Sequence, residues 1–313
     1  MRLRSLLTAA LLLGAAPATA APLDEVARDY VRLVLEYGEH EDGYVDAYYG
    51  PPEGAAEAKA NKRGLGRLSL DAAAMLRRVE GERASGVEAK RRAYLAAQLR
   101  ALSARLAMRQ GAKFDFASEA EALFGARPRL RPLSTYDRVL ARLERLVPGT
   151  GALHERVEAM RRRYEVPADR LRPVMDAAIA ECKARTQARL ELPAGERFDL
   201  AFVTDKPWGG YNWYKGGYVS LIEINTDLPV GISRAVDLGC HEGYPGHHVY
   251  NALLERNLVR GRGWVEFSVY PLYSPQSLIA EGSANFGIDL AFPGDEQRAF
   301  EAKALYPLAG LDP

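Results

Sequence analysis

Apolar positions recur at the helical period through the first half of the chain. Val26, Tyr30, Val34 and Tyr37 fall on one face of a predicted helix, and Leu95, Leu99, Leu102 and Leu106 on one face of another. Tyr136, Val139, Leu140 and Leu143 mark a third, which Val147-Pro148-Gly149 should stop, and Leu171, Val174, Met175 and Ala178 mark a fourth, ending near Pro193-Ala194-Gly195. Residues 21–195 therefore read as a helical scaffold. Within it, the aromatic stretch from Gly43 to Pro52 is kept out of a helix by its prolines. It is expected to be a packed connector, with the wall of a substrate cleft as the alternative.

The period changes at Arg197. Phe198, Leu200 and Phe202 alternate with Asp199, Ala201 and Val203, which predicts a strand. Residues 211–214 and 218–225, joined through Gly216-Gly217, read as a β-hairpin. A helix should follow, with Ser233 as its N-cap ahead of Ala235, Val236 and Leu238. The expected fold is mainly α (α+β): a helical scaffold, then a small antiparallel sheet leading into a metal-binding helix, over residues 196–313.

The N-terminus changes the picture of where the chain works. Arg2 and Arg4 precede an apolar run from Leu6 to Ala16, and Ala18-Thr19-Ala20 fits a small-x-small cleavage site. Residues 1–20 are expected to be a signal peptide, cleaved after Ala20, which predicts a periplasmic or secreted protein. The run is shorter than the about 20 apolar residues a bilayer span requires, so stable membrane insertion is not expected. The 42 Lys and Arg against 41 Asp and Glu leave a formal charge of +1, which argues against a nucleic-acid surface. Arg161-Arg162-Arg163 then reads as a solvated helix face, and His40 and His154 as surface histidines. Cys182 and Cys240 are the only cysteines; in an oxidising compartment they either pair or remain as two buried thiols.

Candidate chemistry concentrates in His241-Glu242-Gly243-Tyr244-Pro245-Gly246-His247-His248, which holds three of the five histidines. Imidazoles beside a carboxylate supply zinc ligands and a general base together. In a straight helix His247 would lie about 9 Å along the axis from His241, and His248 about 10.5 Å. Two ring nitrogens sharing a zinc ion must approach to about 3.5 Å. Pro245 removes a helical hydrogen bond and clashes with the carbonyl of His241, and Gly246 permits unusual backbone angles. A kink or π-type bulge is therefore expected, drawing a later histidine back. His248 would be the partner if the turn count is kept, and His247 if two residues are looped out.

The third ligand is expected to be Glu281. It recurs with Asn285 and Asp289 at four-residue steps on an otherwise apolar helix, where a carboxylate is costly unless paired or metal-bound. Asn285, Asp289 and Asp237 are candidates to orient the ligands from behind. Zinc suits this donor set, and other divalent ions remain possible.

The motif with its downstream Glu281-Gly282 resembles the bacterial domain-of-unknown-function 885 family, similar to gluzincin metallopeptidases. The resemblance is best over residues 198–293. It implies His241 and His247 as ligands, Glu281 as the third ligand and Glu242 as catalytic base. Related members commonly carry Glu-Gly-Trp-Ala where this chain has Glu281-Gly282-Ser283-Ala284. They usually continue beyond this point with further helices, so a short variant or a fragment is expected. The expected function is zinc-dependent hydrolysis of a peptide or small amide. Tyr270 and Tyr273, between the ligand segments, are candidates to stabilise the oxyanion, as are Tyr211, Tyr214 and Tyr218 on the hairpin. An extended peptide is expected to add along Ile222–Asn225. The competing classes are a metal-dependent esterase or cell-wall amidase, and a non-catalytic envelope protein whose structural ion would be fully coordinated by protein.

Overall fold

The computed structural model describes residues 22–312, so the expected signal segment and its cleavage site lie outside the described residues. Helices dominate, with two small sheets, and the chain is of the mainly α, α+β class. The N-terminal part comprises α1 (Pro22–Gly38), β1 (Val45–Tyr48), α2 (Pro52–Ala60), α3 (Leu65–Gly81), α4 (Gly86–Arg109) and α5 (Phe116–Phe124). The periodic faces meet here as expected: Val26, Tyr30, Val34 and Tyr37 of α1 pack with Leu68 and Val79 of α3 and with Leu95, Leu99 and Leu102 of α4. α6 (Asp137–Leu146) and α7 (Leu153–Arg162) follow the same pattern with a different outcome. Val139 and Leu140 are about half exposed, so this amphipathic face is left to solvent. Arg161, Arg162, Arg163 and His154 are exposed.

The aromatic stretch is more ordered than a connector. Its centre is strand β1, which pairs antiparallel with a strand more than 200 residues away, Val269–Pro271, in the register Tyr48↔Val269. A buried ion pair ties the same two regions together. Arg91 of α4 donates from Nε and Nη2 to both Glu266 carboxylate oxygens, at 2.6 and 3.0 Å, and from Nη1 to Asp24 at 2.6 Å. Bidentate geometry of this kind compensates the desolvation of both charges.

The second core is built on α8 (Ala168–Gln187) and a three-stranded sheet of β2 (Arg197–Val203), β3 (Gly210–Gly216) and β4 (Val219–Asn225). The hairpin β3–β4 is antiparallel, but β2 runs parallel to β4, so the sheet is mixed rather than antiparallel. The connection at 204–209 crosses the end of β4, held by Asn225 N–H to the Gly209 carbonyl and Thr226 N–H to the Val203 carbonyl, both 2.9 Å. That places β4 between its neighbours, where Ser220, Ile222 and Ile224 are buried. Ile222–Asn225 is consequently paired on both sides and offers no edge for an added peptide; the outer strands are β2 and β3.

α9 (Ile232–Leu238) opens the site region. Its N-cap is Gly231, with no side-chain cap, and Ser233 lies inside the first turn rather than capping it. Then come α10 (His247–Leu254), β5 (Val269–Pro271), α11 (Pro275–Ala291), α12 (Glu296–Phe300) and α13 (Tyr306–Ala309). Cys182 and Cys240 form a disulfide that fastens α8 to the turn just before His241. No helix among the described residues is long and apolar enough to cross a membrane.

Candidate metal centre

The helix break forms where proline and glycine require it. α9 runs into a wider π-turn at Gly239–Gly243, in which Tyr244 N–H reaches the Gly239 carbonyl five residues back, at 3.2 Å. The chain then extends through Tyr244, joined to Pro245 by a cis peptide bond, and restarts as α10 with Gly246 as N-cap. Gly246 N–H closes the loop on the Cys240 carbonyl at 2.9 Å. A Cβ on Gly246 would lie 1.7 Å from the His241 carbonyl oxygen, so only glycine fits there. Across this break the Nε2 atoms of His241 and His247 come within 3.2 Å.

Glu281 completes a triangle. Its Oε2 lies 3.4 Å from His241 Nε2 and its Oε1 3.3 Å from His247 Nε2. α11 delivers it by close packing: Ala280, Ala284 and Gly287 are buried, and a Cβ on Gly287 would meet Pro245 at 3.0 Å. The opposite side of α11 is open, with Gly282 and Ser283 exposed and the Glu281 side chain 55% exposed. Of the two late histidines, His247 joins the triangle. His248 is buried elsewhere, its Nδ1 2.8 Å from Ser220 Oγ and its Nε2 2.9 Å from Glu196. It stands outside the triangle, on the far side of the break from His241.

The residues expected to orient the ligands do other things. Asp237 forms an ion pair with Arg234 one turn earlier. Asn285 donates to the Glu281 backbone carbonyl at 2.9 Å, and Asp289 is exposed two turns further along α11, so neither holds a ligand side chain.

The triangle opens on a cavity of about 200 Å³ lined by Asp46, Tyr211, Asn212, Glu242, Asn251 and Tyr270. Glu242 is buried, and burial raises its carboxyl pKa against the opposing pull of His247 and His241. Burial disfavours protonation of His241, but the Glu281 and Glu242 carboxylates outweigh it and hold the imidazole above its usual value. Those imidazoles in turn hold Glu281 well below the ordinary carboxylate range. Tyr270 lines the cavity, with its phenol pKa raised by burial. Tyr273 does not reach the site. It belongs to the N-terminal core, stacked 6.4 Å from Tyr44 with Arg105 4.3 Å over its ring, because β5 ends at Pro271 and the chain turns away. Tyr214 donates to Glu255 at 2.5 Å, and Arg260 lies over the Tyr218 ring at 4.8 Å, which leaves Tyr211 as the hairpin tyrosine at the cavity.

Asp46 was not singled out by sequence, although it is the one carboxylate within the aromatic stretch. β1 carries it into the cavity, where it accepts the Tyr211 hydroxyl and burial raises its pKa. Asn212 was missed too; its Nδ2 donates to the Glu242 carbonyl at 2.8 Å, and its buried Oδ1 has no partner among the described residues. In comparisons with known proteins, no family model, no curated protein and no solved structure matches this chain.

Proposed function

We propose that this chain is an exported zinc-dependent hydrolase that cleaves peptide bonds, with Glu242 as general base. The observation that carries the reading is the ligand triangle. A tetrahedral zinc ion with bonds of about 2.0–2.1 Å needs neighbouring donors about 3.3–3.4 Å apart. His241, His247 and Glu281 present edges of 3.2, 3.3 and 3.4 Å. Two neutral imidazoles and a carboxylate are also a donor set that suits zinc. The resemblance of the motif to the gluzincin-like family supports the same assignment. Export rests on the sequence of residues 1–20.

Zinc in such a site supplies Lewis acidity and a nucleophilic water near neutral pH. The remaining work falls to the chain. Glu242 follows His241 directly and faces the cavity, so its carboxylate is placed to take a proton from water and return it to the leaving amine. Its burial raises its basicity towards the working range. Tyr270 is the phenol proposed to donate to the developing oxyanion, since the proton of Tyr211 is committed to Asp46. The cavity on one side of the triangle and the exposure of Glu281 leave room for a fourth, non-protein ligand, unlike the closed sphere of a structural site.

Glu242→Gln tests this. Zinc content by metal analysis should stay at the wild-type level while cleavage of a peptide library falls by about 100-fold or more. Equal cleavage by the variant and wild type would rule the assignment out.

A further inference from the structure

His241 and Glu242 line two cavities. One is the Asp46 side already described. The other, of about 220 Å³, lies along α9 and is bounded by Gly210, Arg234, Asp237 and Asn285. Arg234, Asp237, Leu238 and His241 fall at the helical steps of three and four, so one stripe runs from the guanidinium to the ligand imidazole. Seven residues of helix place their Cα atoms about 10.5 Å apart, and an arginine side chain shortens that gap. Among the described residues, Arg234 is the only Lys or Arg lining either cavity. Beyond it lies a larger cavity of about 520 Å³ that shares Gly209, Arg234 and Leu238 with the second.

A cation at this place has a specific use. Arg234 is about half exposed and ion-paired to Asp237, which holds the guanidinium but occupies only part of its five donors. A planar fork with free N–H groups matches a carboxylate bidentately. Resting on the hydrolase reading above, we propose that Arg234 recognises the free α-carboxylate of the substrate's leaving portion, so that the chain acts on short peptides with an unblocked C-terminus. At about 3.3–3.6 Å per extended residue, the stripe accommodates a leaving portion of a few residues before the guanidinium is met. Asp237, which sequence reasoning assigned to the His241 imidazole, thus becomes a positioning residue for Arg234.

The experiment uses tetrapeptides of identical sequence made as free acids and as C-terminal amides, hydrolysed by the zinc-loaded protein. Wild type should favour the free acid by about 10-fold or more in kcat/KM, the size of one good charge-assisted contact. Arg234→Gln should shrink that preference towards unity through a raised KM for the free acid, with zinc content unchanged, and Arg234→Lys should restore part of it. Equal hydrolysis of acid and amide by wild type overturns the proposal. So does a preference that survives Arg234→Gln, or a preference set by an acidic side chain with the terminus amidated. These outcomes leave the hydrolase reading standing; no hydrolysis of either peptide, with zinc bound, overturns both together.

Discussion

His247 and His248 are sequence neighbours that serve two different polar clusters. The first, with His241 and Glu281, converges beside open space: its two ring nitrogens meet at 3.2 Å, the carboxylate lies 3.3 and 3.4 Å from them, and Glu281 is half open to solvent next to a cavity. The second is saturated. His248 is fully buried, and both of its ring nitrogens are taken, by Ser220 and by Glu196. Glu196 also receives Lys183 at 2.8 Å and the Tyr244 hydroxyl at 2.7 Å. Ser220, His248 and Glu196 even follow the order of a nucleophile, base and carboxylate. Yet all three are buried with their donors and acceptors matched, so this cluster braces the fold instead. Room for a ligand goes with donor atoms that converge beside open space, not with the residue types alone.

The sharpest way to break this contrast is Gly246→Ala, which acts on both clusters at once. The new Cβ has no space beside the His241 carbonyl, so the break must rebuild, moving Tyr244 with one cluster and His247 with the other. A loss of about 3 kcal/mol or more in stability is expected, together with loss of zinc binding. Wild-type zinc content and an unchanged Tm in this variant would show that the break is not what assembles the site.

Alanine at each histidine in turn should separate the clusters. His247→Ala removes one of the three proposed ligands and should weaken zinc binding by about 100-fold or more, with little change in the stability of the metal-free protein. His248→Ala takes one of three partners from Glu196, leaves the Ser220 hydroxyl without its ring-nitrogen partner and empties a fully buried site, and should cost about 2–3 kcal/mol in the metal-free protein while zinc affinity changes far less. Zinc titration calorimetry and denaturant unfolding read the two axes independently. A reversed pattern would mean that His248 serves the metal and His247 the fold.

How much of this is legible in sequence follows the range of the interactions. The faces of α1 and α4, the π-type break and the polar stripe that singles out Glu281 depend on residues a few positions apart, and local spacing carries them. Burial is a different matter: α6 has the helical period of α1, but nothing packs over Val139 and Leu140. The parallel placement of β2, the exclusion of Tyr273 and the arrival of Asp46 at the cavity follow from strand pairings that alternation does not specify, above all β1 with β5. The choice between His247 and His248 turned on how many residues the break loops out, which spacing left open. The ion pair Asp237–Arg234 was readable as a three-residue step, but the neighbouring histidine drew the assignment instead.

The smallest effect belongs to acid. Burial pushes the Glu196 carboxyl up, but hydrogen bonds from His248, Lys183 and Tyr244 outweigh it and hold the pKa down to about 2, against an ordinary 4.5. A carboxylate depressed in the folded state contributes stability that is complete above the unfolded value and is lost as pH falls through the folded one. The saturated cluster should therefore weaken between about pH 4.5 and 2, by about 2 kcal/mol, since Lys183 is a third exposed and partly screened. Glu281 is also held low and loosens in acid, so wild type alone does not isolate the effect. The difference between wild type and Glu196→Gln does, because Glu281 is common to both. Denaturant unfolding of the metal-free proteins from pH 7 down to pH 3 should show the wild-type advantage shrinking as the pH drops. An advantage that stays constant over that range would mean that Glu196 is not held as a carboxylate by its three partners, and that the buried cluster owes its stability to packing.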